Sequence, residues 1–466
     1  MGRMSAPAPK QILADLWRAA GHAAALDSIT LTGSEPVLAS SFAVGTAAQA
    51  TVAASALAAA ELWRLRTGRQ QRISVDMRDA AIEFRSEHYL GIDGKPVEDH
   101  RDSIAGLYRC GDGRWVRLHT NLPHHRAGTL GLLGCGHDRA AVQRALDGWQ
   151  AFPLETAAAE AGLVITATRS FEEWDEHPQG RAIAGLPPFC IDRIGDAPPQ
   201  PLLKGERPLA GIKVLDLTRV IAGPVCGRTL AVHGADVLLV TAAHLPAMRP
   251  LVMDNGRGKL AAHLDLRDAG ARDTLAGLLR EADIFVQGYR PGAIAQYGFS
   301  PEQAARIRPG IVCVSICAYG HQGPWSGRRG FDSLVQNANG LNDAEATAFG
   351  ASQPKPLPAQ ALDHGTGFLM AFAAMTALAR RAQQGGSWHV RCSLAQTGTW
   401  FRNLGRIDGL TGPNLEPEDV QDRLYESESG FGRLTAVRHS AVMSETPPRW
   451  ERPSVPLGTH SPAWPN

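Results

Sequence analysis

The chain has 466 residues, enough for two or three domains, and its 44% hydrophobic and 20% charged content is that of a globular protein with a sizeable core. Lys and Arg number 47 against 46 Asp and Glu, so a formal charge of +1 offers no field for a polyanion; nucleic acid is excluded as a partner, and an anionic ligand must be held locally. Seven scattered cysteines, an odd number without zinc spacing, predict reduced thiols and no metal site.

The first seven residues, Met-Gly-Arg-Met-Ser-Ala-Pro, lack the apolar core of a signal peptide. The most apolar stretch, residues 47–62, is alanine-rich and interrupted by Thr, Gln and Ser, so no membrane span is expected and the cytoplasm is the predicted location. Residues 47–66 read as a long helix, 72–77 as a short strand followed by a helix, and 107–119 as a hairpin turning at Gly111-Asp-Gly113. No complete βαβ core is expected in this portion. The pair His124-His125 has no acidic partner in register, and neighbours point apart in extended chain, so a solvated loop is predicted there.

A proline-rich stretch from Gly195 to Pro208 reads as a linker, because prolines block regular structure. Beyond it, Ile212-Lys-Val-Leu-Asp-Leu217 is a buried-strand run, residues 224–232 a helix opened by proline, and Asp236-Val-Leu-Leu-Val240 the next strand. Asp268 then caps an amphipathic helix to Ala282, Ile284-Phe-Val286 follows as a strand, and residues 301–307 and 311–316 supply another helix and strand. Such alternation implies a parallel, doubly wound sheet. The stretch 411–432 is a second break, and the Pro-rich tail from Pro447 is expected to wrap the surface without a core of its own.

One segment is repeated. Pro356-Leu-Pro-Ala-Gln-Ala-Leu-Asp363-His-Gly-Thr has a degenerate copy upstream, Pro36-Val-Leu-Ala-Ser-Ser-Phe-Ala43-Val-Gly-Thr, and a helix and strand follow both. Aligned on the Gly-Thr pairs, the copy has Ala43 where the other has Asp363. That asymmetry points to a nucleophile, although an Asp before a helical run is also a favoured capping residue.

Residues 208–400 resemble the family III CoA-transferases, the CaiB/BaiF group that includes formyl-CoA transferase. The resemblance is carried, in order, by Leu209-Ala-Gly-Ile-Lys-Val-Leu-Asp-Leu-Thr-Arg-Val-Ile-Ala-Gly-Pro224, His233-Gly-Ala-Asp-Val237, the run from Gly256 to Leu266, Tyr289-Arg-Pro-Gly292, Gly323-Pro324, Gly330-Phe-Asp332 and the Asp363 segment. Residues 36–200 are similar to the second half of such a protein, small-domain hairpin included, and 434–460 to its C-terminal end. The resulting domain plan is a degenerate copy of the second-half helical segment (1–100), a small α+β domain (101–194), a linker (195–208), a Rossmann-like CoA-binding domain with the active loop (209–400), and an extension returning to the large domain (401–466). The fold implied is α/β, a doubly wound parallel-sheet domain with the smaller α+β domain.

The resemblance implies CoA transfer between an acyl-CoA donor and a carboxylic acid through an aspartyl anhydride and an aspartyl-CoA thioester, with Asp363 as nucleophile. Coenzyme A or acyl-CoA is then substrate, no cofactor is tightly bound, a small carboxylic acid is the other partner, and the assembly is an intertwined homodimer. Backbone amides near Gly365 and Thr366 would stabilise oxyanions, and Asp332 would support the active loop by hydrogen bonding. The resemblance also implies CoA contacts for Val220, Leu264, Arg267, Tyr289 and Arg329, which stand at the family's CoA-contacting positions. The chain departs from the pattern at Thr241-Ala-Ala-His244, at Gly288 and at Gln296. An acyl-CoA racemase of the same fold needs a histidine where this chain has Phe331, and a nicotinamide enzyme needs a G-x-G-x-x-G spacing that Ala222-Gly-Pro-Val-Cys-Gly227 lacks. The remaining alternative is a catalytically inactive CoA-transferase-like partner protein.

Overall fold

The computed structural model describes residues 8–22, 26–98 and 101–465; residues 1–7, which bear on secretion, lie outside these. Its centre is a seven-stranded sheet ordered Lys259–His263, Asp236–Thr241, Lys213–Leu217, Ile284–Gln287, Val312–Cys317, Ser387–Ser393, Phe189–Gly195. The first six strands are parallel and the last is antiparallel. Alternation along each strand feeds two cores. Val214, Val237, Ile284 and Val312 face one side of the sheet, with the helices Ala222–Val232 and Ala361–Gln384 packed there. Leu215, Leu238, Phe285 and Cys313 face the other, against Ala269–Glu281 and Pro301–Ile307.

The predicted elements after the linker are present. Asp268 caps its helix by accepting from the Gly270 amide, and Ser300 opens the next with a capping box. Strand order reverses between Lys213–Leu217 and Ile284–Gln287, so the loops leaving their C-terminal ends diverge and leave a crevice.

The long helix Val44–Thr67 lies against Ala361–Gln384, the most extensive contact between any two elements of the described residues. Ala47, Ala48, Ala50, Ala53 and Ala54 are all fully buried, and their short side chains let two long interior helices approach closely. Against expectation, this portion holds a βαβ unit: Ile29–Thr32 pairs in parallel with Ile73–Asp76 across that helix, and Ala441–Met443 completes a three-stranded sheet. The C-terminal extension thus returns to the N-terminal portion as well as to the large domain, where the His460 amide donates to the Ala261 carbonyl at 2.8 Å.

The small domain packs the sheet Gly106–Arg109, Trp115–Leu118 and Ile165–Ala167 against Pro123–Leu133, Arg139–Leu146 and Ala151–Glu160. Its predicted end at residue 194 needs correction. Phe189–Gly195 is the seventh strand of the large sheet, because the free edge of Ser387–Ser393 offers it backbone partners that its own domain does not.

Candidate active site

Helix Ala361–Gln384 starts at Gln360, the N-cap, so Asp363 is its third residue and not a cap. Its first free amides are satisfied from outside: Asp332 Oδ2 accepts from Leu362 N at 2.8 Å and from Asp363 N at 2.9 Å, and Asp332 Oδ1 accepts from Gln336 Nε2 at 2.5 Å. Asp332 therefore anchors the turn that presents Asp363. Asp363 as a residue is 7% exposed, and its carboxylate forms no hydrogen bond or ion pair among the described residues.

The oxyanion role expected of the Gly365 and Thr366 amides does not fit this geometry. As fifth and sixth residues of the helix they donate along its own i to i−4 ladder, since only the first four amides of a helix are unsatisfied. The Thr366 hydroxyl pairs with that of Thr397 at 2.7 Å. A Cβ on the neighbouring Gly367 would meet the Ala222 carbonyl oxygen at 2.6 Å, so that glycine permits the helix to lie on Ala222–Val232.

Two cavities meet at Asp363. One, about 360 Å³, occupies the crevice at the strand-order reversal and is lined by Thr218, Arg219, Val220, Tyr289, Arg329 and Leu394 among others. The second, about 390 Å³, opens toward the small domain, with Arg101, Arg117, His119, Met248 and Leu251 in its wall. Val220, Ile221, Phe331 and Asp363 line both. Val220 holds φ at +76°, in the left-handed region that a β-branched side chain avoids, and this strain lies at the seam of the cavities.

Of the residues expected to hold CoA, Val220, Tyr289 and Arg329 are gathered at the first cavity. Leu264 and Arg267 line neither: Leu264 packs on the far core of the sheet, and Arg267 is exposed in an ion pair with Asp265 at 2.5 Å. Arg329 donates to the Gly162 carbonyl at 2.9 Å, tying the crevice to the small domain.

The predicted solvated loop at His124-His125 is instead the first turn of Pro123–Leu133, with His125 only 3% exposed. Pro123 at the first helical position is the signal for that helix. His119 stacks on Phe331 with centroids 3.9 Å apart, and His125 meets the same ring edge-on at 6.0 Å. Burial lowers His119 to about 4 and His125 to about 3, so both rings are neutral near pH 7.

Glu87 was not legible as a site residue. It accepts from or pairs with His364 Nε2 at 2.9 Å, while Phe84 stacks on the same imidazole. Both come from the segment after Ile73–Asp76, more than 270 residues upstream, since the contact separation is 277. Burial raises Asp363 well above the carboxylate range, and the nearby charges of Asp332 and Glu87 add to this. Asp332 is also raised, to about 6, by burial, but its three donors oppose the shift. Of the two, Asp363 holds its proton more tightly because nothing donates to it.

This is an α/β protein with a buried, unpartnered carboxylate where a switch-point crevice meets a second cavity. The profile of CoA-transferase family III matches residues 20–185 and 209–452, and the chain belongs to that family. It is similar to the acetyl-coenzyme A transferase nodX of Hypoxylon pulicicidum, 31% identical over 68% of this chain and 57% of that protein. A formyl-CoA:oxalate CoA-transferase of Bradyrhizobium diazoefficiens is 30% identical over 43% of this chain and 48% of its own length. The chain thus spans about half the length of these curated relatives. A solved CaiB/BaiF family structure from Brucella suis aligns with 42% of this chain and 56% of its own at 28% identity and a TM-score of 0.39.

Proposed function

We propose that the chain moves CoA from an acyl-CoA donor to a carboxylic acid, with Asp363 as the nucleophile. The observation that carries this reading is the Asp363 carboxylate itself, buried, without a donor, and in contact with both cavities. Ionised Asp363 attacks the thioester carbonyl, the C–S bond breaks, and CoA leaves as thiolate while an acyl-aspartyl anhydride forms. The thiolate then attacks the aspartyl carbonyl, giving aspartyl-CoA and the free donor acid. An acceptor carboxylate attacks that thioester, and the same steps in reverse release the new acyl-CoA and restore Asp363.

The geometry supports separate places for the two groups, CoA in the switch-point crevice near Val220, Tyr289 and Arg329, and the acyl group beside the small domain. Burial of Asp363 limits the access of water to the anhydride and thioester. Asp332 is a positioning residue, fixing the turn through two amides. The proposal includes a cytoplasmic homodimer that holds CoA only as substrate; light scattering would show a single 49.8 kDa chain if the dimer is wrong. The direct test is incubation with acyl-CoAs followed by peptide mass spectrometry. A CoA thioester or acyl adduct on Asp363 is expected, and a bare Asp363 peptide across a range of donors overturns the reading.

Racemase chemistry is a second reading because the His119 imidazole lies on Phe331, the ring in the motif's histidine position. It predicts solvent deuterium at the carbon next to the thioester in recovered acyl-CoA, whereas CoA transfer leaves that carbon unlabelled.

A further inference from the structure

Beside Asp363 stands a charge pair that the other half of the repeat lacks. Asp76 and Ser393 are the N-caps of the helices after the two repeated strands, and in that register Phe84 answers to Phe401, Glu87 to Leu404 and His364 to Ala47. The aromatic ring is kept in both halves. The acid and the imidazole occur on the side that carries Asp363, while their counterparts Leu404 and Ala47 are buried and apolar.

His364 is fully buried and follows Asp363 in the chain, with Nε2 2.9 Å from Glu87 Oε2 and Phe84 stacked on its ring at 5.6 Å. Burial raises Glu87, but the charge and hydrogen bond of His364 outweigh it and hold Glu87 below its ordinary value, so this acid is ionised. The positive charge of His364 also acts on Asp332 and Asp254. After burial itself, Asp332 and Glu87 are what oppose ionisation of Asp363. The other charged or titratable groups about the pair are His88, 3.7 Å from Glu87 Oε1, with Arg85 acting on it, and Asp254, shared by Arg228 and Arg257 at 2.6 and 2.5 Å. Glu98, Arg101, Arg117 and His119 share the wall of the second cavity with Glu87.

Resting on the Asp363 reading, we propose that His364 and Glu87 are positioning residues for the nucleophile: His364, as a cation, cancels the carboxylate that the N-terminal copy brings beside Asp363, and Glu87 and Phe84 fix its ring there. A buried carboxylate without a partner is costly and repels a second one forming next to it, and an imidazolium on the face of Phe84 is further stabilised by the ring. The copy is then a working part of the site. The competing reading is a neutral ring that serves packing alone, since Nδ1 has no partner.

The test is the pH profile of kcat/KM for wild type, His364→Asn, Glu87→Gln and the double variant, read beside thermal melting. His364→Asn leaves Glu87 uncompensated and should move the acid limb up by about one pH unit, an about tenfold loss at a fixed pH on that limb. Glu87→Gln removes the carboxylate along with the need for its partner and should not move the limb upward. The double variant should return toward the wild-type profile, whereas a packing role makes it worse than either single change. An unmoved limb in His364→Asn, an upward shift in Glu87→Gln, or a double variant no better than His364→Asn overturns the proposal. If His364→Asn alone does not fold, the double variant is still expected to, because it buries no unpaired carboxylate, and its failure to fold also counts against the proposal. Failure of the transferase reading is separate and shows as no adduct at Asp363 with any donor. The charge pair is then read without turnover, from the Asp363 side-chain carboxyl resonance in carbon-13 NMR, identified by its loss in Asp363→Asn: it should titrate about one pH unit higher in His364→Asn and return in the double variant.

Discussion

Two helices of equal length begin in the same way and end in different company. Val44–Thr67 and Ala361–Gln384 each have 24 residues, with N-caps Ala43 at φ −76°, ψ 63° and Gln360 at φ −75°, ψ 60°. Gly68 and Gly385 close them, and Asp76 and Ser393 cap the helices after the next strands. This register pairs Asp363 with Thr46, so the Gly-Thr alignment that opposed it to Ala43 is displaced by three residues. The first-turn amides are met alike: Glu35 Oε1 accepts from Thr46 N at 2.7 Å, as Asp332 does from Asp363 N. What differs is the sheet that follows. The strand after the copy is the middle one of three short strands, whereas Ser387–Ser393 extends the seven-stranded sheet whose crevice and adjoining cavity reach Asp363. A carboxylate at a helix start becomes a candidate nucleophile only where such cavities adjoin it.

The comparison can be broken most severely at Asp363. Asp363→Asn should lower CoA transfer by about 10⁴-fold or more and remove the adduct, with the fold retained, as read by turnover, mass spectrometry and circular dichroism. Thr46→Asp, the reciprocal change, should gain no adduct and lose about 2–4 kcal/mol in denaturant unfolding, because it buries a second carboxylate beside Glu35. If Thr46→Asp acquires an adduct, the contrast drawn from the cavities fails.

Asp332→Ala leaves the Leu362 and Asp363 amides without their acceptor and should cost about 1–3 kcal/mol of stability. The misplaced nucleophile should lower kcat by roughly 10²-fold. The pH dependence is a smaller effect. Because burial raises Asp363, the active ionised form is lost on acidification from well above the ordinary carboxylate range, and kcat/KM should fall about tenfold per pH unit on that limb. The stability sign is opposite: the folded state binds this proton more tightly than the unfolded state, so Asp363 destabilises the fold as pH rises toward its raised value. Asp363→Asn should therefore melt higher than wild type near neutrality and converge with it below the ordinary Asp range. Smallest of all, Glu35→Gln keeps an acceptor for Thr46 N and should shift stability by about 1 kcal/mol with kcat unchanged.

Much of the large domain was legible because it depends on local signals. The runs 212–217, 236–240, 284–286 and 311–316 are β-branched and apolar, and Asp268 and Ser300 cap the helices around them. The βαβ unit at Ile29–Thr32 was missed because its strand has four residues with a weak alternation, which pairing with Ile73–Asp76 completes. His125 was misread because its burial depends on Phe331, over 200 residues away in sequence.

By itself the sequence determined the doubly wound pattern, the family resemblance and the singling out of Asp363, since motif order and periodicity are properties of the chain read locally. Tertiary structure alone decided that Glu87 and Phe84 from the N-terminal copy reach His364 and that Asp332 takes the amides of the Asp363 turn. Those facts are distances between elements far apart in the chain. Packing of the two long helices and docking of the small domain fix them, and no short stretch of residues encodes such distances.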